Sequence, residues 1–112
     1  MRDINKIIQE IKSTLRQAGQ NMRRIRTDVH KDNKQFDVAV VSNSNNVQMA
    51  INIVHSHSSV KKHLQYCVKR GIKEFEVSQN NNGLRILQLK EIYEFVKHRR
   101  SNGLMLKANR LK

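Results

Sequence analysis

Ile4, Ile7, Ile8, Ile11, Leu15 and Ala18 fall on one stripe of a 3.6-residue period, with Lys6, Glu10, Lys12 and Arg16 away from it. This spacing predicts an amphipathic helix over 3–18, capped at its start by Asp3 and at its end by Gly19. Such a helix can lie along RNA or a partner or dock on a core, and so many large aliphatic side chains favour docking. From Phe36 the period becomes two. Phe36, Val38 and Val40 alternate with Asp37, Ala39 and Val41, which predicts a strand buried on at least one face. Ser42 to Asn46 is a turn by composition. Val47, Met49, Ile51 and Ile53 then alternate with Gln48, Ala50 and Asn52, although Val47, Ala50, Ile51 and Val54 also satisfy a helix. The β-branched residues and the short loop favour a β-hairpin.

Val60, Leu64, Cys67 and Val68 share one helical face, so a second helix is expected over 59–70, with Ser59 as N-cap and Gly71 as a left-handed C-cap. Ile72 to Val77 reads as a strand and Ser78 to Gly83 as a loop. Ile86, Leu89, Ile92, Tyr93 and Val96 predict a third helix over 85–100, with Arg99 and Arg100 where a C-terminus favours cations. Ser101-Asn102-Gly103 is expected to end it, leaving Leu104 to Leu106 for a closing strand. The alternation of helix and strand implies parallel pairing through a right-handed crossover. The sum is one small α/β domain, a mixed sheet of about four strands covered by three helices. It divides into an amphipathic helix at 1–20, a basic arm at 21–35, the α/β body at 36–106 and a basic tail at 107–112.

Charge changes the picture most. Twenty-two Lys and Arg against nine Asp and Glu give +13 in 112 residues, an imbalance that a polyanionic partner would relieve. The charge is uneven. Residues 36–59 hold no Lys or Arg, whereas 20–35 carry Arg23, Arg24, Arg26, Lys31 and Lys34 with scarcely an apolar residue. That stretch reads as an arm ordered by phosphates or as a solvated linker. Lys61, Lys62, Lys69 and Arg70 surround the second helix, and Arg85, Arg99 and Arg100 lie along the third. These ten, counting Arg23, Arg24 and Arg26, are the candidate RNA-binding residues. Few aromatics interleave them, which favours recognition of phosphate and shape over base stacking.

The remaining chemistry is thin. One Cys excludes an internal disulfide and points to a reducing compartment. No apolar run reaches membrane-spanning length, and the start of the chain has no secretory h-region. His55, His57, His63 and Cys67 form a metal-like group, but the paired knuckles of structural zinc sites are missing. His55-x-His57 with Tyr66 lacks the spacing and the carboxylates of a rolling-circle nuclease. Gly83 stands alone after three Asn, so there is no phosphate-cradling loop. No catalytic residues, metal, cofactor, small-molecule substrate or membrane partner is expected.

The segments M-R-R-I-R at 22–26, F-D-V-A-V-V-S-N-S-N-N at 36–46 and V-Q-M-A-I-N-I at 47–53 precede V-K-R-G-I-K-E-F-E-V at 68–77, N-G-L-R-I at 82–86 and S-N-G-L-M-L at 101–106. In that order they resemble the large-subunit ribosomal protein family that binds 5S rRNA (protein eighteen of that subunit). The likeness is to a shortened, diverged version, since only His55 to Ser58 stand where the family has a further strand. It implies a structural constituent of the ribosome, with rRNA and neighbouring ribosomal proteins as partners, in a mitochondrial matrix or a bacterial cytoplasm. The small-subunit relative (protein eleven) shares the G-I-K-E-F-E-V run, but its Pro-rich basic tail is missing here. The layout is also similar to the ribosome-silencing factor family, which requires 46–57 to be helical. A phage or plasmid DNA-binding module with N-N-N-G as a wing is the third reading.

Overall fold

The computed structural model describes residues 4–55 and 61–110, with side chains through Arg99. Helix α1 spans Ile4–Gln17 and buries Ile7, Ile11 and Leu15. Burial of each stabilises the fold by roughly 1.5–3 kcal/mol. Gly19, at φ 101°, ends it. Gln20 N–H donates to the Leu15 carbonyl (2.9 Å) and Gly19 N–H to that of Arg16 (3.0 Å), a Schellman closure. Asp3, the expected cap, lies outside the described residues.

A single 3₁₀ turn, Met22–Arg24, leads into β1 (Ile25–Lys31), β2 (Lys34–Val41) and β3 (Val47–Val54). Helix α2 (Leu64–Lys69), strand β4 (Lys73–Ser78) and helix α3 (Asn82–Arg110) complete the chain. The sheet order is β1-β2-β3-β4. The first two pairings are antiparallel and β3 with β4 is parallel, α2 supplying the crossover. This is the expected mixed four-stranded sheet with three helices.

Helices α1 and α3 cover one face. Ile7, Ile11 and Leu15 meet Val38, Val40, Met49, Ile51, Phe75, Val77, Ile92 and Val96 there. The opposite face holds a smaller core of Phe36, Ala39, Ala50, Cys67 and Ile72 beneath α2. The alternation predicted for 47–54 holds from Met49 to Ile53, with Met49, Ile51 and Ile53 at the large core and Ala50 in the small one, but Val47, beyond the register shift at Val40/Val41, packs on the small core instead.

Several expectations need correction. The basic arm at 21–35 is ordered: it forms the 3₁₀ turn, edge strand β1 and the start of β2. Edge strands need little apolar surface, and only Ile25 and Val29 of β1 touch a core. The chain reverses through Asp32 and Asn33, with φ of 51° and 63°, between the paired residues Lys31 and Lys34. Two consecutive positive φ values are what a two-residue type I′ hairpin loop requires.

The closing strand at Leu104 to Leu106 does not form, because α3 runs on through Ser101, Asn102 and Gly103 to Arg110. A glycine inside a helix costs only about 1 kcal/mol and is no stop by itself. The fourth strand of the sheet is β1 instead. Helix α2 is six residues long, shorter than 59–70, and Ser59 and Val60 lie outside the described residues. Among the described residues of its expected stripe only Cys67 is buried, while Leu64 is 42% and Val68 68% exposed. Gly71 does take φ 68°, and Ile72 N–H closes on the Cys67 carbonyl at 2.8 Å. In α3 the buried stripe starts one residue early, at Arg85, leaving Ile86 66% exposed.

Candidate nucleic-acid interface

The candidate surface is built by a bend in the β1–β2 hairpin. Val38↔Ile51 ends the regular β2–β3 ladder. At the next position side chains replace backbone. Asn52 Oδ1 accepts from Asp37 N–H (3.4 Å), and Asp37 Oδ2 accepts from Ile53 N–H (2.7 Å). Facing Asp37 on β1, Asp28 has φ 52°. Both strands therefore turn together, and the alternation of faces breaks. Phe36 shares parity with Val38 and Val40 yet packs on the opposite side of the sheet, with Ala39, Ala50, Cys67 and Ile72.

The bend folds the hairpin tip over the sheet onto α2. His63 Nε2 donates to the Gln35 carbonyl (3.3 Å), Tyr66 Oη to Asp32 Oδ2 (2.8 Å), and Lys31 Nζ to the Asn45 carbonyl (3.3 Å). Phe36 sits under this contact, edge-on to His63 at 5.3 Å and tilted against Tyr66 at 6.3 Å. Glu74, 3% exposed, ties the start of α2 to the sheet. Its Oε2 accepts from Asn52 Nδ2 and from His63 N–H, both at 3.0 Å.

A cleft of about 540 Å³ opens between hairpin tip and α2, lined by Lys34, Lys61, Lys62, Lys69 and Arg70 around Tyr66. The Arg70 guanidinium stacks 3.9 Å from the Tyr66 ring centre, and Lys34 Nζ lies 5.7 Å from it. Partial burial of Tyr66, then its hydrogen bond to Asp32, pushes the phenol above its usual value. With Arg70 on the ring and Asp32 on the hydroxyl, Tyr66 offers no open platform to a base. Guanidinium, ammonium and phenol donors facing one hollow suit phosphate oxygens.

Arg23, Arg24 and Arg26 form a second hollow, of about 250 Å³, with Asn21, Ser42, Asn43 and Asn45. Arg24 Nη2 donates to Asn43 Oδ1 (2.8 Å), and Arg26 Nη1 to the Arg23 carbonyl. Between the two hollows lies a third depression containing Lys31, Asn46, Val47, Tyr66 and Arg70. Tyr66 and Arg70 also line the cleft, and Asn46 follows Asn45 in the chain. The bend thus joins the two basic segments into one run across the Ser42–Asn46 turn.

Seven of the ten expected residues lie along this run: Arg23, Arg24, Arg26, Lys61, Lys62, Lys69 and Arg70. Arg85 does not. It is 7% exposed, with Nη1 donating to the Ser78 (3.0 Å) and Gln79 (3.2 Å) carbonyls and Nη2 to Asn82 Oδ1 (2.8 Å). Glu10 Oε1 lies 3.6 Å from its Nε, so Arg85 fastens α1 and α3 to the end of β4 and turns no cation outward. Arg99 is exposed and donates to Gln48 Oε1 (3.3 Å), apart from the run. The Arg100 side chain is outside the described set. The ten candidates leave out Lys34, which the sequence counted only among the cations of the arm, as well as Tyr66 and Asp32. The signal that could have placed them is the Asp32-Asn33 turn, which sets Lys34 opposite Lys31.

His55 meets the Asn80 amide (2.9 Å), and His57 lies outside the described residues. Among the described residues, no cluster of three or more His, Cys, Asp or Glu side chains is placed to hold a metal, and no helix is long and apolar enough to cross a membrane. Burial, with Glu74 adding to it and Lys61 opposing, pushes the Cys67 thiol from 9.0 up to about 11. Folding therefore holds the proton more tightly than the unfolded chain does. The associated stability is complete below pH 9 and is lost as pH rises towards 11. Denaturant melts should show wild type losing on the order of 2 kcal/mol more than Cys67→Val between those limits. Parallel curves for the two proteins would contradict this.

No protein-family model, curated protein or solved structure matches the chain.

Proposed function

We propose that the chain binds structured RNA through the run from Arg23 to Lys62, as a constituent of a ribosomal large subunit. The observation that carries the RNA reading is the convergence of Lys34, Lys61, Lys62, Lys69 and Arg70 on a cleft whose aromatic ring is already engaged. Such a surface reads backbone phosphates and helical shape; it has no stacking platform for a single strand. The ribosomal part of the proposal rests on the resemblance set out above. Two competing layouts have less support. The silencing-factor arrangement needs a helix over 46–57, where this chain has β3. A wing at N-N-N-G would need a loop, whereas Asn82 and Gly83 already belong to α3 and Asn81 Oδ1 accepts from Leu84 N–H (3.0 Å) at its start.

The test is to crosslink the protein in cell extract, sediment ribosomal particles and sequence the attached RNA. Reads concentrated in large-subunit rRNA, from protein that travels with both free subunits and whole ribosomes, are the expected result. Association with free large subunits alone would favour the silencing-factor reading. Reads scattered over mRNA, or failure to sediment with either subunit, would end the ribosomal one.

A further inference from the structure

We propose that the Asp32 carboxylate is a stand-in for phosphate, occupying in the free protein a site that an RNA phosphodiester takes on binding. This inference rests on the RNA-binding reading above and adds a specificity-determining residue to it.

Asp32 Oδ2 accepts a hydrogen bond from the Tyr66 hydroxyl at 2.8 Å and lies 3.7 Å from Arg70 Nη2. A phenol and a guanidinium directed at one oxygen are the donor pair that a phosphodiester oxygen would use. The position is built, because the two-residue loop with both φ positive sets Asp32 at the hairpin tip, and the bend at Asp28 and Asp37 carries that tip onto α2. The hold is weak. The Arg70 and Asp32 side chains are 48% and 61% exposed, and a pair at that separation in water gains little. Asp32 can therefore be displaced by a stronger anion.

The consequence is selectivity. A lone phosphate must displace Asp32 with little help. A double helix brings further phosphates to Lys61, Lys62 and Lys69 at the same time and so replaces the carboxylate at Arg70. Asp32 thereby filters small anions out of a cleft that would otherwise collect them.

The experiment uses the full chain, a 20-base-pair RNA duplex and free ATP, with fluorescence anisotropy read across a salt series. Asp32→Asn keeps an acceptor for Tyr66 and removes only the charge. At low salt it should bind the duplex roughly 3- to 10-fold more tightly and gain measurable affinity for ATP. Adding Arg70→Gln to that variant should abolish the gain. Equal or weaker duplex binding by Asp32→Asn would overturn the inference, since Asp32 would then merely orient Tyr66 and Arg70. If that result came with a wild type that still needs Lys61, Lys62 and Lys69 for the duplex, the RNA reading would survive alone. A wild type with no duplex affinity at any salt would overturn both.

Discussion

Replacing Phe36 with alanine lowers the stability of the chain by about 3–5 kcal/mol, the range for removing a fully buried aromatic ring. The ring is 0% exposed and is shared by β2, the hairpin tip and α2. Its removal opens a cavity under His63 and Tyr66, whose backbones are held by Glu74 and by the short α2 and cannot collapse far. A domain of this size has only about 5–15 kcal/mol in all. Thermal melts should show a midpoint lower by more than 10 °C. At temperatures where the variant is still folded, Lys34 and Arg70 should lose their common cleft and RNA affinity should fall with stability. A midpoint within a few degrees of wild type would mean that the hairpin tip does not fold onto α2.

That dependence explains why the site was harder to read from the sequence than the core. Helix α1, the β2–β3 hairpin and β4 each turn a periodic apolar face to a core, and Gly19 and Gly71 mark helix ends through their positive φ. Period and punctuation were sufficient for those elements. Strand β1 has no such face: Ile25 and Val29 are all it gives to the two cores, and its charged positions resemble an arm. The Leu104 to Leu106 run looked like a strand only because Ser101-Asn102-Gly103 looked like a stop, yet α3 passes through both. Arg85 misleads in the other direction. Its charge suggested a surface contact, and it lies under Ser78, Gln79 and Asn82 as an internal clamp.

The basic residues of 22–26 and 61–70 were legible as cations, but their meeting was not. It depends on Asp37 and Asn52 exchanging hydrogen bonds with the facing backbone, which breaks the alternation that strand reading assumes. Two polar residues in apolar strands were the available clue. Their place opposite each other is fixed by the β2–β3 register, which local pattern alone does not supply.

Converting Lys61, Lys62, Lys69 and Arg70 together to glutamine lowers affinity for an RNA duplex by about 100- to 1,000-fold at moderate salt. Lys62, Lys69 and Arg70 are exposed and Lys61 is half-buried, so the fold should persist. If wild type neutralises about six phosphates, log K falls with log salt at a slope of roughly −4 to −5. Losing four contacts should make that slope shallower by about 3. The control replaces Lys6, Lys12, Arg16 and Lys90, which lie on α1 and α3, the helices across the sheet from the cleft. Both variants drop four positive charges from the same +13, so bulk attraction weakens equally in each. Only a localised interface distinguishes them: the cleft variant loses most of its salt dependence while the control keeps nearly all of it. Equal losses in the two would mean that the chain holds RNA by net charge alone, without the surface that the bend at Asp28 and Asp37 assembles.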